Sequence, residues 1–293
     1  MSSEQARSIL VTGGNSGIGF ALCRQLVVEE GCRVFMGSRD RERGEAALAG
    51  LQATLPSDRV HQVELLVVDV RDDASVRTAA SSVRDVLGHG NRLYGLVNNA
   101  GVGLATGASP EEVVDTNLYG VKRMVEVFVA AGLVAERVVN VGSGSGPGYV
   151  RRCPLDQQPA LCTAPADWAA IEKFVAGSAN GSSGLGSAAD VNGGYGLSKA
   201  LLSLYTMLCA STHPDLLISC TSPGWIRTKL VGHDGPSKTP EEGTHSIKHC
   251  LFQPLEGNGW YYGSDGLRSP LHYMRNPGEP AWDGRVEGVV GVV

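Results

Sequence analysis

Apolar runs of strand length alternate with longer amphipathic segments along most of the chain. The predicted strands are residues 8–12, 33–37, 63–70, 94–98, 137–141, 217–221 and 260–262. The predicted helices are residues 17–30, 41–54, 72–87, 110–132 and 240–252, together with a helix that starts at Tyr195. Strands that alternate with helices are typical of parallel βαβ units joined by right-handed crossovers. The pattern therefore predicts an α/β fold with a doubly wound parallel sheet.

A stretch rich in glycine and serine interrupts this alternation at residues 144–192, with one helix signal at 167–175. Strand and helix signals resume directly after it, so we interpret it as an insertion within a single domain covering residues 1–293. The tail, residues 257–293, places aromatic residues among glycines and prolines. We expect these rings either to lie beside a ligand cleft or to cover the edge of the sheet.

Composition narrows the class of protein. Hydrophobic residues make up 42% of the 293 positions, enough for a substantial core. The net charge is −5 and the charges are scattered, so we expect neither a nucleic acid nor a membrane surface as partner. The chain shows no apolar run of membrane-spanning length, and its N-terminus is polar, which favours a cytoplasmic location.

Cysteine and histidine spacing gives no sign of a metal site. The seven cysteines are odd in number and irregularly spaced, which indicates free thiols in a reducing compartment. We expect Cys153 and Cys162, both in the insertion, to be surface thiols. His245 and His249 have a spacing that can bind metal on a helix, but no carboxylate motif accompanies them, so we expect a solvated helix face.

Candidate ligand-binding residues gather where predicted strands end. Gly13, Asp69, Asn98, Ser143 and Pro223 each lie at or just past such an end. In an open parallel sheet, ligands bind at the carboxyl ends of the strands. The sequence therefore places a binding site at that edge of the sheet.

A glycine-rich loop lies between the first strand and the first helix. Gly13, Gly17 and Gly19 lack side chains, which lets backbone N–H groups approach a pyrophosphate at the helix N-terminus. The same loop contains Asn15, Ser16 and Ile18. The alternative is a tight turn with no ligand, but the strand and helix on either side favour a dinucleotide-binding loop.

Tyr195 and Lys199 stand four residues apart on a predicted helix and therefore share one face. A cation about 4 Å from a phenol, at an effective dielectric near 20, is worth roughly 4 kcal/mol, or about three pKa units. We expect Lys199 to lower the pKa of Tyr195 into the range of a general acid or base. Such a pair is often structural when it stands alone; downstream of a dinucleotide loop it indicates hydride transfer.

Cofactor choice depends on the residues after the second strand, Ser38, Arg39 and Asp40. An NAD site usually has a carboxylate here, which would repel a 2′-phosphate. Arg39 can bind that phosphate and stack on adenine, and Ser38 adds a hydroxyl. Asp40 is a carboxylate and would favour NAD, but it lies one position later than the carboxylate of an NAD site. We predict NADPH; the alternative is that Arg39 is only a solvated surface charge.

These motifs together resemble the short-chain dehydrogenase/reductase family over nearly the whole chain. The motif residues, in the family's order, are Thr12, Gly13, Gly17, Gly19, Asp69, Val70, Asn98, Asn99, Ala100, Gly101, Asn117, Ser143, Tyr195, Lys199, Pro223 and Gly224. The 52-residue separation of Ser143 and Tyr195 is long, and with segments 222–228 and 239–243 it is most similar to the monomeric carbonyl reductases.

The resemblance implies a Rossmann fold and a set of catalytic roles. Tyr195 would protonate the carbonyl oxygen, and Lys199 would hold the ribose hydroxyls. Ser143 would donate a hydrogen bond to the substrate oxygen, with Ser145 as a competitor. Asn117 would bend its helix locally and hold a water molecule that links Lys199 to solvent.

The resemblance also implies further cofactor contacts. Asp69 and Val70 would flank the adenine. Asn98, Ala100 and Gly101 would support the adenine-ribose side and the sheet, and Thr228 would reach the nicotinamide carboxamide. The other predicted cofactor-binding residues are Pro223, Gly224, Trp225 and Ile226. The insertion would cover the helix face through which many family members associate, leaving a monomer.

The leading hypothesis is NADPH-dependent reduction of a small aldehyde, ketone or quinone by direct hydride transfer. Two alternatives remain open. The same fold could oxidise an alcohol or reduce a C=C bond, or the protein could be a dinucleotide-binding sensor without turnover. The combination of Asn117, Ser143, Tyr195 and Lys199 argues against a sensor.

Overall fold

The computed structural model describes residues 6–103, 106–177, 182–228, 230, 235 and 238–285. In this part of the chain, seven parallel strands form one sheet in the order β3-β2-β1-β4-β5-β6-β7. The strands are β1 (Ser8–Val11), β2 (Arg33–Ser38), β3 (Val63–Val67), β4 (Leu93–Asn98), β5 (Val134–Val141), β6 (Leu217–Thr221) and β7 (Tyr261–Tyr262). The predicted doubly wound parallel sheet is confirmed.

Helices connect the strands on both faces of the sheet. They are α1 (Gly17–Val28), α2 (Arg41–Gln52), α3 (Asp73–Leu87), α4 (Pro110–Val114), α5 (Gly120–Ala130), α6 (Ser145–Arg152), α7 (Trp168–Ala176), α8 (Tyr195–Thr212) and α9 (His245–Phe252). The single helix predicted at 110–132 is divided, because a π-helical turn at Asp115–Tyr119 separates α4 from α5. The helix predicted at 240–252 begins instead with a 3₁₀ turn at Glu242–Thr244.

Strand β1 lies at the centre of the sheet, paired with β2 on one side and β4 on the other. Ile9 is in register with Val34 on β2 and Gly95 on β4. The chain moves outward through β2 and β3, then crosses back to β4 beside β1. This reversal of strand order opens a crevice at the carboxyl ends of β1 and β4, where doubly wound folds bind dinucleotides.

Two clusters of buried side chains fill the two faces of the sheet. One includes Phe128 of α5 and Leu201 of α8. The other includes Leu22 of α1 and Leu251 of α9. Because both faces of the strands are buried, the strand sequences are almost continuously apolar rather than alternating. The described residues therefore form a single α/β domain.

The insertion begins with a helix that the sequence did not predict. Helix α6 contains Gly146, Pro147 and Gly148, which are poor helix formers. Gly146 packs against the backbone of α8: a Cβ added there would lie 3.0 Å from the amide nitrogen of Ala200. Close packing on α8 therefore stabilises a helix that intrinsic propensity disfavours. The helix predicted at 167–175 is confirmed as α7.

Helix α7 packs on one face of α8 through aromatic residues. The ring of Trp168 meets Tyr205 edge-on at a centroid distance of 5.6 Å and Tyr119 at 5.4 Å. This part of the insertion covers a face of the helix that begins with Tyr195, as expected from the sequence.

The insertion thiols differ from expectation. Cys153 is 4% exposed and Cys162 is 1% exposed, so the prediction of surface thiols is wrong for both. They lie in the apolar cluster beneath α6 and α8, where burial raises the pKa of each thiol. All seven cysteines are free and buried. Of the helices described, none combines the length and apolarity that crossing a bilayer requires.

Candidate active site

A cavity of about 1560 Å³ lies along the carboxyl ends of the strands. Its glycine-loop end is lined by Gly13, Arg43 and residues 15–19, 38–40 and 68–71, and its tail end by Gly144, Trp225 and residues 273–277. Tyr195, Lys199 and Ser143 line it as well. The cavity thus runs from the loop after β1 past the start of α8 to the C-terminal tail.

The glycine loop forms one wall of the cavity. Its predicted members all line it: Gly13, Asn15, Ser16, Gly17, Ile18 and Gly19. Gly19 permits the closest approach, since a Cβ there would lie 2.3 Å from the carbonyl oxygen of Gly13. Ser16, the N-cap residue of α1, makes no side-chain capping bond, which leaves the helix N-terminus open to an anion.

The loop after β1 is tied to the loop after β4. The hydroxyl oxygen of Thr12 accepts hydrogen bonds from the backbone amides of Asn99 and Ala100, each at 3.0 Å. The Asn99 side-chain amide donates to the Thr12 carbonyl at 2.8 Å. Ala100 and Gly101 line the cavity as predicted, and so does Asn99, which was not among the predicted site residues although it lies in the same motif.

Of the two roles predicted for Asn98, its contacts show support of the sheet. It is 3% exposed and is not among the residues that line the cavity. Its amide donates to the side chain of Asn140 at 2.9 Å, and Asn140 donates to Thr206 at 2.9 Å. The Asn98 side chain therefore connects β4, β5 and α8, and its contribution is to the sheet rather than to a cofactor surface.

Two basic side chains, Arg39 and Arg43, lie at the glycine-loop end of the cavity. Ser38, Arg39, Asp69 and Val70 line it as predicted, and Arg43 lines it without having been predicted. Arg39 is exposed, and no hydrogen bond or ion pair within the described residues engages its guanidinium. Arg43 is a basic residue in the first turn of α2, which starts at Arg41, and that position is the sequence signal by which it could have been found.

Asp40, whose carboxylate would repel a 2′-phosphate, makes hydrogen bonds to neighbouring residues instead. Its carboxylate accepts a hydrogen bond from the backbone amide of Arg43 at 2.8 Å and caps the N-terminus of α2. Its carbonyl accepts a hydrogen bond from the Ser38 hydroxyl at 2.8 Å. The acidic group is therefore engaged by the helix that follows it.

The first turn of α8 brings Tyr195 and Lys199 to the centre of the cavity. The Lys199 amine lies 5.7 Å from the centroid of the Tyr195 ring and donates a hydrogen bond to the carbonyl of Val141 at 2.8 Å. The Ser143 hydroxyl is hydrogen-bonded to Tyr195. Three residues predicted as catalytic thus meet where β5 ends and α8 begins.

The proton affinities of this pair differ from expectation. Burial raises the pKa of Tyr195, and the hydrogen bond with Ser143 offsets only part of that rise. Burial also lowers the pKa of Lys199 to about 8. The prediction that Lys199 lowers the pKa of Tyr195 is wrong for this structure, because desolvation of the phenol is the largest influence and only the hydrogen bond with Ser143 opposes it. A phenol that holds its proton at neutral pH is suited to act as an acid.

Asn117 lies in the π-helical turn, and the local bend expected there is present. Its side chain accepts a hydrogen bond from the Val102 amide and donates one to the Val102 carbonyl, both at 2.9 Å. It is fully buried and does not line the cavity. Its oxygen would lie 3.2 Å from a Cβ on Gly101, where the Lys199 amine would be 3.8 Å away. Asn117 therefore shapes the backbone beside Lys199.

Ser145 also lines the cavity, and it supports Ser143. The Ser145 backbone amide donates to the Ser143 hydroxyl oxygen at 3.2 Å. The two serines thus have different positions, and only Ser143 is hydrogen-bonded to Tyr195.

The segment after β6 also lines the cavity. Its predicted residues all line the cavity: Pro223, Gly224, Trp225, Ile226 and Thr228. The Thr228 methyl group would lie 3.3 Å from a Cβ on Gly17, so this segment closes over the glycine loop. Trp225 is 59% exposed and Ile226 is 2% exposed, which places the indole at the mouth and the isoleucine in the interior.

The C-terminal tail lies beside the cavity, with Tyr261, Tyr273 and Met274 among the lining residues. Trp260 and Trp282 do not line it; they enclose the guanidinium of Arg268 at 3.6 and 5.0 Å. The tail therefore does both things that the sequence allowed, lining the cleft with some aromatic residues and covering the sheet edge with others.

His245 is exposed, while His249 is half-buried and its ring lies 5.9 Å from that of Tyr262. A search of the described ranges found no group of three or more histidine, cysteine or acidic side chains arranged to hold a metal.

Comparison with known proteins adds independent information. The family model described as short chain dehydrogenase matches residues 7–153. The chain is 32% identical over 291 residues to (+)-neomenthol dehydrogenase of Arabidopsis thaliana, covering 87% of this chain and 95% of that protein. It is 30% identical over 275 residues to carbonyl reductase (NADPH) 1 of Homo sapiens, covering 85% and 92% respectively.

Among solved structures, the chain is similar to salutaridine reductase from Papaver somniferum, with a TM-score of 0.69 and 26% identity. That superposition covers 87% of this chain and 99% of the other. The fold, the arrangement of Tyr195, Lys199 and Ser143, and these similarities agree: the chain belongs to the short-chain dehydrogenase/reductase family, whose members are nicotinamide-dependent oxidoreductases acting on CH–OH and C=O groups.

Proposed function

We propose that this protein reduces an aldehyde, ketone or quinone to an alcohol with NADPH. The observation that carries the proposal is the meeting of Tyr195, Lys199 and Ser143 at the middle of one cavity. One end of that cavity has the form of a dinucleotide site, and the other end has apolar side chains. A bound carbonyl would therefore lie between a hydride donor and a proton donor.

The glycine-loop end fits a dinucleotide. The α1 N-terminus has no capping side chain, which favours a pyrophosphate. Gly19 lets α1 pack closely against the loop at Gly13, which keeps that N-terminus beside the loop. The cofactor, when bound, supplies the hydride. The Lys199 amine would bind the ribose hydroxyls, and Thr228 and Ile226 would contact the nicotinamide.

The protein residues position the carbonyl and supply the proton. The Ser143 hydroxyl would donate a hydrogen bond to the substrate oxygen, where negative charge develops. The phenol of Tyr195 would give its proton to that oxygen, a step that general acids accelerate by about 10²–10⁴-fold. The raised pKa of Tyr195 favours this direction, because the hydroxyl is protonated before reaction.

The preference for NADPH over NADH is supported by Arg39 and Arg43. Both line the cavity beside Ser38, and the Asp40 carboxylate is occupied in capping α2. The Asp69 carboxylate, which lines the same end, accepts a hydrogen bond from the Arg71 backbone amide at 3.0 Å and lies 3.7 Å from the Arg71 guanidinium. Arg39 and Arg43 therefore suit a 2′-phosphate, which guanidinium binds through paired hydrogen bonds. By the same reasoning we propose that the catalytic efficiency with NADPH exceeds that with NADH.

We also propose that the protein is a cytoplasmic monomer. Trp168 and Tyr205 pack where a partner helix would otherwise lie against α8. Seven free buried thiols suit a reducing compartment. Sedimentation velocity tests the monomer; a stable dimer or tetramer would contradict it.

The function is tested by NADPH oxidation across quinones, aromatic aldehydes, α-dicarbonyls and ring ketones, with wild type and Tyr195→Phe. We expect turnover of at least one class, with kcat reduced by about 10³-fold in the variant and NADPH binding retained. Turnover that survives in Tyr195→Phe, or equal efficiency with NADH, would refute the corresponding part of the proposal. Activity confined to alcohols with NADP⁺ would establish the oxidative direction instead.

A further inference from the structure

The tail segment at residues 263–279 has little regular structure, yet polar contacts hold it in place. The Asp265 carboxylate accepts hydrogen bonds from the backbone amides of Leu267 and Gly278, both at 3.2 Å. It also accepts a hydrogen bond from Arg275, whose side chain is 3% exposed. The Asp265–Arg275 pair therefore closes residues 265–275 into a loop by side-chain contacts.

The guanidinium of Arg275 has further partners in the same loop. It donates to the Ser269 hydroxyl oxygen at 3.0 Å and to the carbonyls of Asn276, at 3.2 Å, and Glu279. Burial alone would raise the pKa of Asp265, but the hydrogen bonds from Arg275 and two amides outweigh it and hold that pKa below its usual value. The pair is thus charged and hydrogen-bonded, and removing either partner would leave the other unpaired in a buried position.

The two residues before Arg275 carry large apolar side chains that face the cavity. Tyr273 is 39% exposed and Met274 is 59% exposed. The Met274 sulfur would lie 3.3 Å from a Cβ on Gly144, the residue after Ser143. With Trp225, also 59% exposed, they form an apolar rim at the tail end of the cavity. Exposed apolar side chains grouped at a cavity mouth are typical of a binding surface.

We propose that Asp265 and Arg275 are positioning residues, and that they hold Tyr273 and Met274 as a wall that selects ring-shaped apolar carbonyl substrates. This rests on the proposed function, because the wall lies beside Ser143. A ring ketone would bury apolar surface against both side chains when its carbonyl reaches Ser143, and that burial favours binding. A small aldehyde such as propanal has little apolar surface to bury against the wall, so its binding would depend on the wall far less.

The test compares 2-acetylnaphthalene with propanal in wild type, Arg275→Gln, Asp265→Asn and Met274→Ala. We expect each variant to raise KM for the ring ketone on the order of tenfold, with kcat within about twofold and propanal kinetics unchanged. The matched control is Arg285→Gln, since Arg285 lies in the same tail and forms an exposed pair with Asp283 at 3.6 Å. Arg285→Gln should leave KM and kcat unchanged for both substrates.

A double variant separates positioning from general destabilisation. If Arg275 acts through Met274, Arg275→Gln combined with Met274→Ala should raise KM little beyond Arg275→Gln alone, because both remove one wall. An equal increase in KM for both substrates, or an unchanged KM for the ring ketone in Met274→Ala, would overturn the proposal. Met274 is exposed, so its replacement leaves folding unaffected and keeps the test decisive.

Calorimetric binding of 2-acetylnaphthalene to the NADP⁺-loaded protein gives a readout without turnover, because the oxidised cofactor has no hydride to give to a ketone. We expect Kd to rise on the order of tenfold in Arg275→Gln and Met274→Ala and to stay constant in Arg285→Gln. An unchanged Kd, or no binding to wild type, would refute the wall. Failure to turn over any carbonyl, with the Kd differences present, would refute the proposed function and leave the wall standing.

Discussion

The two ends of the cavity are lined by different kinds of chemical group. At the glycine-loop end one wall is the backbone of the loop around Gly13, Gly17 and Gly19, which hydrogen bonds between Thr12 and Asn99 hold in place. At the tail end the lining is side chains such as Trp225, Tyr273 and Met274, on long segments without regular structure. Backbone sites require particular residue types at fixed spacing, whereas side-chain walls can be built in many ways.

The largest expected effect is at Gly19. A Cβ there would lie 2.3 Å from the Gly13 carbonyl oxygen and 2.5 Å from the Asn99 side-chain nitrogen, so both loops must move. We expect Gly19→Ala to weaken NADPH binding by at least about 100-fold, equivalent to roughly 2.7 kcal/mol. Isothermal titration measures it.

The matched control for Gly19→Ala is Gly50→Ala, in α2, where an added Cβ meets nothing within 4 Å. It should stabilise the protein by about 0.5–1 kcal/mol and leave cofactor affinity unchanged, since alanine favours the helix. NADPH binding within about threefold of wild type in Gly19→Ala would show that the glycine-loop end is not a backbone site, and the contrast between the two ends would fail.

Arg39 is the next test of the glycine-loop end. We expect Arg39→Ala to weaken NADPH binding by about tenfold while NADH binding is unchanged, because only NADPH carries the 2′-phosphate. Arg41→Ala is the control: Arg41 is exposed in the same turn, pairs with Glu45 at 3.6 Å, and does not line the cavity. If the two variants behave alike, Arg39 is a solvated charge and the cofactor preference has another origin.

Lys199, at the junction of the two ends, gives a pH-dependent effect of about 1.4 kcal/mol. Burial lowers its pKa from 10.5 to about 8, so between those pH values the unfolded chain binds more protons and stability rises with pH. From pH 7 to 9, the wild type should gain about 1.4 kcal/mol in free energy of unfolding relative to Lys199→Met.

Urea unfolding of both proteins under reducing conditions measures that difference. The buried thiols, which burial makes weaker acids, destabilise both proteins at high pH. The Lys199 charge lowers the pKa of the Cys220 thiol, but burial still holds that pKa at about 11, so this thiol stays protonated up to pH 9 in both proteins and the thiol contributions cancel. A difference that stays constant across this pH range would mean that Lys199 keeps an ordinary pKa and that the junction is more hydrated than its 6% exposure indicates.

Trp225 should give the smallest effect and tests the tail end. With 59% of its surface exposed at the mouth, it is better placed to contact a substrate than the cofactor. We expect Trp225→Ala to raise KM for 2-acetylnaphthalene by about fivefold and to change the KM for NADPH less than twofold. The reverse outcome, weaker NADPH binding with an unchanged ketone KM, would support the cofactor-binding role predicted from sequence.

The same contrast explains where sequence analysis succeeded and failed. The six strands before the tail were located within a few residues because each is buried on both faces and reads as an apolar run. Helix α6 was missed because its glycines and proline disfavour a helix, and only packing on α8 stabilises it. Asn98 supports the sheet as predicted but does not line the cavity, because a motif gives the order of residues and does not show which way a side chain points.

The sequence alone determined the parallel sheet, the glycine loop and the placement of Tyr195 and Lys199 on one helical face, since these follow from periodicity and spacing. Only the tertiary structure decided the electrostatic balance of that pair, because desolvation depends on everything packed around it. It also decided the tail: Asp265 and Arg275 are ten residues apart with no periodic pattern between them, and their contact exists only once the chain has folded back on itself.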